Sequence, residues 1–187
     1  MDAFSYLSVL LSIILGLGLT QVLTAAGRLI RHRDRVRVHW LPLVWAAVLL
    51  VIYVQVWWSM YGLRLRGSWT FGAFTIVLAQ TAALYLMAAL ALPEHVDEAN
   101  GDLGVYFDTH HRWFFAVFLA TLVISVAKDV ILDGHLPDQT NLLFHGVFAA
   151  GCIAGITVGH RRFQQALGLV FALAIVSYIA VLFRTLR

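Results

Sequence analysis

Long apolar runs separated by short polar segments repeat six times along the chain. Each run is long enough to cross a bilayer as a helix, which takes about 20 apolar residues. The pattern predicts an all-α, polytopic transmembrane helical bundle of six spans that form one transmembrane domain, residues 1–187. The predicted spans are residues 4–30, 40–63, 70–92, 113–132, 141–159 and 163–183.

The amino-acid composition is typical of a membrane protein. Hydrophobic residues make up 61% of the 187 residues and charged residues 12%, with a mean hydropathy of +0.83. Soluble domains have about 25% charged residues. The six spans use most of the chain, so a separate soluble domain does not fit.

The distribution of arginine and lysine predicts the orientation of the bundle. The loop after the first span, residues 28–37, is strongly basic, and we call it the basic loop. Short basic loops stay in the cytoplasm. That side then holds Arg28, Arg31, Arg33, Arg35, Arg37, Arg112, Arg161 and Arg162, against Arg64, Arg66, Lys128, Arg184 and Arg187 on the other. We predict both termini on the outer, periplasmic side. Because the arginines lie at span ends, where they contact lipid headgroups, the pI of about 9.4 does not indicate a nucleic-acid partner.

An acidic segment, residues 93–112, shares the basic side. It carries Glu94, Asp97, Glu98, Asp102 and Asp108. Two interpretations stay open: the acidic segment and the basic loop neutralise one another, or both are separately solvated, in which case exposed pairs contribute only about 0 to 1 kcal/mol each.

Small residues recur every fourth position in two spans. Such rows let two helix backbones approach closely in lipid. They comprise Ser12, Gly16 and Thr20 in the first span and Gly151, Gly155 and Gly159 in the fifth. We expect the two rows to pack against each other, within one chain or between copies in a homo-oligomer or larger membrane complex.

The fourth span carries ionisable residues near its outer end. Lys128, Asp129 and Asp133 lie there, and the two aspartates continue a row of hydroxyl residues at a spacing of four. A charge at bilayer depth costs about 2.5 to 3.5 kcal/mol, so such groups face a partner, water or the bundle interior. We expect Lys128 to be the counter-charge of Asp129 by reaching across to a neighbouring helix, because adjacent helix residues point about 100° apart.

Other polar residues reach the same outer depth. Gln55 lies in the second span, and Asn141 and His145 begin the fifth. Together with the fourth-span charges they predict an outward-facing polar vestibule. Its candidate binding or transport residues are Lys128, Asp129, Asp133, His145, Asn141 and Gln55. Alternatively, each of these residues lies near a helix end that is exposed to water, and the residues form no common cavity.

These residues favour a channel or transporter-like protein for protons, ions or a small solute, since an imidazole beside carboxylates can relay protons. Two alternatives stay open: a non-catalytic subunit or scaffold, and a haem-binding redox protein with His145 as an axial ligand. The chain has no Gly-x-Ser-x-Gly, His-Glu-x-x-His or phosphate-binding glycine loop, which argues against an enzyme. No metal site or other cofactor is predicted, because Cys152 is the single cysteine and no His-x-x-x-His occurs.

The segment SIILGLGLTQVL in the first span and the tract from Arg112 to Phe115 give the chain a family resemblance. It resembles a group of short, uncharacterised bacterial integral membrane proteins. The resemblance implies a location in the bacterial inner membrane, and it brings no activity, ligand or catalytic residue.

Overall fold

The chain is described by a computed structural model over residues 3–95 and 101–182. Six helices in these residues are long and apolar enough to cross a membrane, as the sequence predicts. They are α1 (Ala3–Arg31), α2 (Trp40–Met60), α3 (Phe71–Ala91), α4 (Leu103–Asp133), α5 (Gln139–Thr157) and α6 (Arg161–Leu182). A short 3₁₀ helix, Tyr61–Leu65, follows α2. Arg184 and Arg187, used to predict the orientation, lie outside the described residues, as do Asp97 and Glu98.

The helices form a ring that α2 closes. Helix α1 packs against α3, and α3, α4, α5, α6 and α2 then follow one another as neighbours until α2 returns to α1. Helix α2 also contacts α3 and α4 across the ring. Its Trp45 and Leu49 are accordingly inaccessible to solvent. We call the end of the bundle that carries the basic loop the arginine end, and the other the vestibule end.

Helix α4 begins at Leu103, ten residues before the predicted start of the fourth span at residue 113. The carboxylate of Asp102 caps the helix by accepting hydrogen bonds from the N–H groups of Gly104 (2.7 Å) and Val105 (3.3 Å). Charged and histidine residues interrupt the apolar run in this first part of α4, which conceals its buried face. The other helix ends lie within three residues of the predicted span ends.

The basic loop and the acidic segment meet at the arginine end, largely through backbone groups. The N–H of Arg37 donates to the carbonyl of Gly101 (2.8 Å), and the N–H of Leu103 donates to the carbonyl of Arg37 (3.1 Å). The guanidinium of Arg28 donates to the backbone carbonyl of Glu94. The two segments are therefore joined directly, rather than being two separately solvated loops.

Asp102 is the carboxylate at the centre of this junction. Its partial burial disfavours the charged form, but the N–H groups of Gly104 and Val105 and the charges of Arg161 and Arg37 outweigh burial and lower the pKa of Asp102. A lowered pKa stabilises the fold above the unfolded-state pKa, and this contribution is lost as the pH falls through the folded-state value. The junction is therefore intact near neutral pH.

The two rows of small residues do not pair within one chain, contrary to the first form of that prediction. In α5, an added Cβ at Gly155 would come within 2.6 Å of the Phe115 ring, and one at Gly151 would overlap the Phe171 ring. These glycines therefore admit aromatic rings from α4 and α6. Gly159 has no neighbouring atom within 4 Å of such a Cβ.

The row on α1 lies on the outside of the bundle. Gly16 and Thr20 are exposed, Ser12 is half-buried, and a Cβ at Gly16 would meet no atom within 4 Å. The close contact of α1 instead uses Gly18, where a Cβ would overlap the hydroxyl of Tyr53 in α2. Pairing of the outer row with another copy stays a prediction.

Aromatic rings fill the interior between the arginine end and the middle of the bundle. The indole of Trp45 has its ring centroid 5.0 Å from Phe114, 5.3 Å from Phe115, 5.2 Å from Phe171 and 6.4 Å from Phe118. All four neighbours approach in edge-to-face geometry, which is favourable for aromatic pairs. We call these five residues the aromatic plug.

Candidate functional site

The structure contains a vestibule at the end opposite the basic loop, with a volume of about 400 Å³. Five of the six helices, α2 to α6, contribute to its wall, which is largely polar. The polar lining residues are Gln55, Ser59, Gln80, Ser125, Lys128, Asp129, Asp133, Asn141 and Tyr178. The structure therefore brings five of the six candidate residues together in one cavity.

The sixth candidate, His145, lies deeper. It lines a smaller cavity of about 70 Å³, which we call the neck. Gln55, Gln80 and Ser125 line both the vestibule and the neck, so the two cavities are adjacent parts of one cleft. The neck narrows into the bundle from the vestibule.

The cleft ends at the aromatic plug. Phe118, a member of the plug, lines the neck together with Phe148 and Ile175. Phe118 is 4% exposed, and Trp45 beyond it is 0% exposed. The structure therefore shows a blind cleft, open at the vestibule end and closed toward the arginine end.

Lys128 and Asp129 form an ion pair at the vestibule wall. Nζ of Lys128 lies 3.4 Å from Oδ1 of Asp129, and the two side chains are 18% and 22% exposed. The expectation that Lys128 pairs across to a neighbouring helix is wrong. The long lysine stem instead bends along α4 and brings its ammonium to the adjacent carboxylate.

Asp133 lies at the lip of the vestibule beside Arg66. Their Oδ1 and Nη1 atoms are 4.0 Å apart, and the same Nη1 donates to the backbone carbonyl of Leu132 (2.5 Å). The helix ends there at Gly134, whose φ of 76° favours glycine. Arg66 thus satisfies a terminal carbonyl of α4 and balances Asp133, roles that the sequence did not indicate.

His145 is held by its own helix. Its Nδ1 lies 2.9 Å from the carbonyl of Asn141, and because a carbonyl only accepts, Nδ1 carries a proton. In the neutral ring Nε2 is then an acceptor. Tyr178 donates from its hydroxyl to Oδ1 of Asn141 (3.2 Å), which ties α6 to α5 beside the neck.

The imidazole and the carboxylates of the predicted relay line adjacent parts of the cleft, and Tyr178 lines both parts. Asp129 and Asp133 line the vestibule, whereas His145 lines the neck. In the part of the chain that the structure describes, no three His, Cys, Asp or Glu residues form a group suited to a metal ion.

Gln80 is the main site residue that the sequence analysis missed. It is 7% exposed, lines both cavities, and makes no side-chain hydrogen bond to another described residue. The signal was present, because Gln80 and Thr81 are polar residues in the middle of the third apolar span. A buried amide of this kind needs hydrogen-bonding partners.

The cleft thus offers charges of both signs in its wide part and uncharged polar groups in its neck. Comparisons of the chain with protein-family models, with curated proteins and with solved structures gave no match.

Proposed function

We propose that this chain is a small transporter-like membrane protein that takes a polar solute into the vestibule. The observation that carries the proposal is the convergence of polar residues from five helices on one cavity of about 400 Å³. Intramembrane charges such as Lys128 and Asp129 are costly in lipid, so they typically mark ligand or ion pathways. A shared aqueous cavity accounts for their position.

The proposed orientation places the arginine end in the cytoplasm and the vestibule toward the outside. The support is the concentration of arginines in one short loop, which disfavours translocation of that loop. Both termini are then outside. The proposed location is the bacterial inner membrane.

The aromatic plug favours a transporter over an open channel. A channel needs a continuous polar path, whereas Trp45 and its four aromatic neighbours close the cleft in this conformation. Passage would require the helices to move and open the plug while the vestibule closes, as in alternating access.

Solute flux into proteoliposomes tests this proposal. We expect vesicles with the wild-type protein to admit small polar solutes in an osmotic swelling assay, faster than protein-free vesicles. Ser125→Trp fills the junction of vestibule and neck and should abolish the added flux. Val123→Trp is the matched control, because Val123 is 62% exposed on the outside of the same helix and should leave flux unchanged. The absence of wild-type flux, or equal flux in the Ser125→Trp variant, would contradict the proposal.

A further inference from the structure

We propose that the solute is a small zwitterion, a molecule that carries an ammonium and a carboxylate close together. Its carboxylate would bind Lys128, its ammonium would bind Asp129, and its short uncharged part would enter the neck. This inference rests on the proposed solute-binding function of the vestibule, and it names the class of molecule bound there.

The ion pair of Lys128 and Asp129 has unused bonding capacity. An ammonium has three donors and a carboxylate about four acceptor positions, yet among the described residues this ion pair is the only hydrogen bond or ion pair that either charged group makes. Its distance of 3.4 Å exceeds the 2.7 to 2.9 Å of a strong charge-assisted hydrogen bond. Both groups can therefore bind a ligand without losing an optimal internal bond.

The charged side chains that line the vestibule and its lip form two oppositely charged pairs. Lys128 is matched by Asp129, and Asp133 is matched by Arg66 at the lip. A ligand with a net charge would leave one charge uncompensated in a partly desolvated cavity, which is costly. A zwitterion satisfies Lys128 and Asp129 together and adds no net charge.

The neck lacks charged side chains and matches a short uncharged group. Its lining offers the amides of Gln55 and Gln80 and the ring of His145, among apolar residues. Gln80 and His145 are 7% and 8% exposed, and neither the Gln80 amide nor Nε2 of His145 has a hydrogen-bond partner among the described residues. The neck volume of about 70 Å³ limits the inserted group to a few heavy atoms.

The test measures binding to the purified full-length protein in detergent by titration calorimetry. The probes are L-alanine and the two molecules that each carry half of its charge, propionate and ethylammonium. Propionate and ethylammonium can each form only one of the two charge-assisted interactions that alanine forms. We therefore expect each of them to bind at least about tenfold more weakly than alanine. Equal or tighter binding of either half, or no alanine binding at all, would overturn the proposal.

Variants assign the binding to the ion pair. Lys128→Met should weaken alanine binding about tenfold or more, whereas Arg64→Met should not, because Arg64 lies over the Tyr61 ring and does not line the vestibule. The double variant Lys128→Asp with Asp129→Lys restores both charges in exchanged positions and should bind more tightly than Lys128→Met. Unchanged binding in Lys128→Met would overturn the assignment.

The binding and flux experiments can fail independently. Alanine binding without flux would refute transport and leave the zwitterion inference standing. Flux of other solutes without alanine binding would refute the zwitterion inference and leave transport standing.

Discussion

Replacing Trp45 by alanine is expected to destabilise the protein by about 3 kcal/mol or more. The indole is 0% exposed and touches aromatic rings from α4 and α6. In a membrane the loss comes mainly from packing contacts, because lipid is as apolar as the protein interior. Unfolding in mixed micelles with increasing denaturing detergent measures the change.

The matched control at this position is Trp45→Phe. Phenylalanine keeps an aromatic ring in the plug and removes Nε1, a buried donor with no partner in the described residues. Relief of an unpaired buried donor offsets part of the lost volume, so Trp45→Phe should cost much less than Trp45→Ala. Similar costs for the two variants would mean that Trp45 is not packed as described.

Replacing Gln164 by leucine is expected to cost about 1 to 3 kcal/mol, because the carbonyl of the buried Gly155 loses its partner. The Nε2 of Gln164 donates to the carbonyls of Gly155 (2.9 Å) and Val158 (2.6 Å) at the end of α5. Carbonyls in the last turn of a helix have no partner within the helix. Gln164 is 1% exposed, so water cannot easily replace its amide.

The next residue provides the control for this prediction. Gln165 is half-buried, and its amide lies 3.3 Å from Nε2 of His39. Gln165→Leu should cost less than about 1 kcal/mol, because its partner is not enclosed and can bind water. The same micelle unfolding experiment compares the two variants, and equal losses would contradict the capping role of Gln164.

Much of the fold could be predicted from the sequence, because bilayer thickness imposes a length on each apolar run. Six spans follow from that length alone. The start of α4 was missed because Asp108, two histidines and Arg112 interrupt the apolar pattern. Leu103, Phe107 and Phe114 are nevertheless buried, at the spacing of one helix face.

The vestibule could be predicted in part, because polar residues at one depth must find a common aqueous or protein environment. Lys128, Asp129 and Asn141 do line one cavity. Helix neighbours could not be predicted, since rows of small residues do not specify which helix they meet. Gly151 and Gly155 contact phenylalanines rather than α1, and the plug around Trp45 depends on helix order in the ring.

The cleft opens at the vestibule end and closes at the aromatic plug. Cysteine labelling tests it, because Cys152 is the single cysteine and is buried, so Cys152→Ala gives a cysteine-free background. In that background Ser125→Cys should react with a membrane-impermeant thiol reagent added from the vestibule side. Ala46→Cys, next to Trp45 at a position 5% exposed, should react from neither side. An unreactive cysteine at 125, or a reactive one at 46, would contradict the blind cleft.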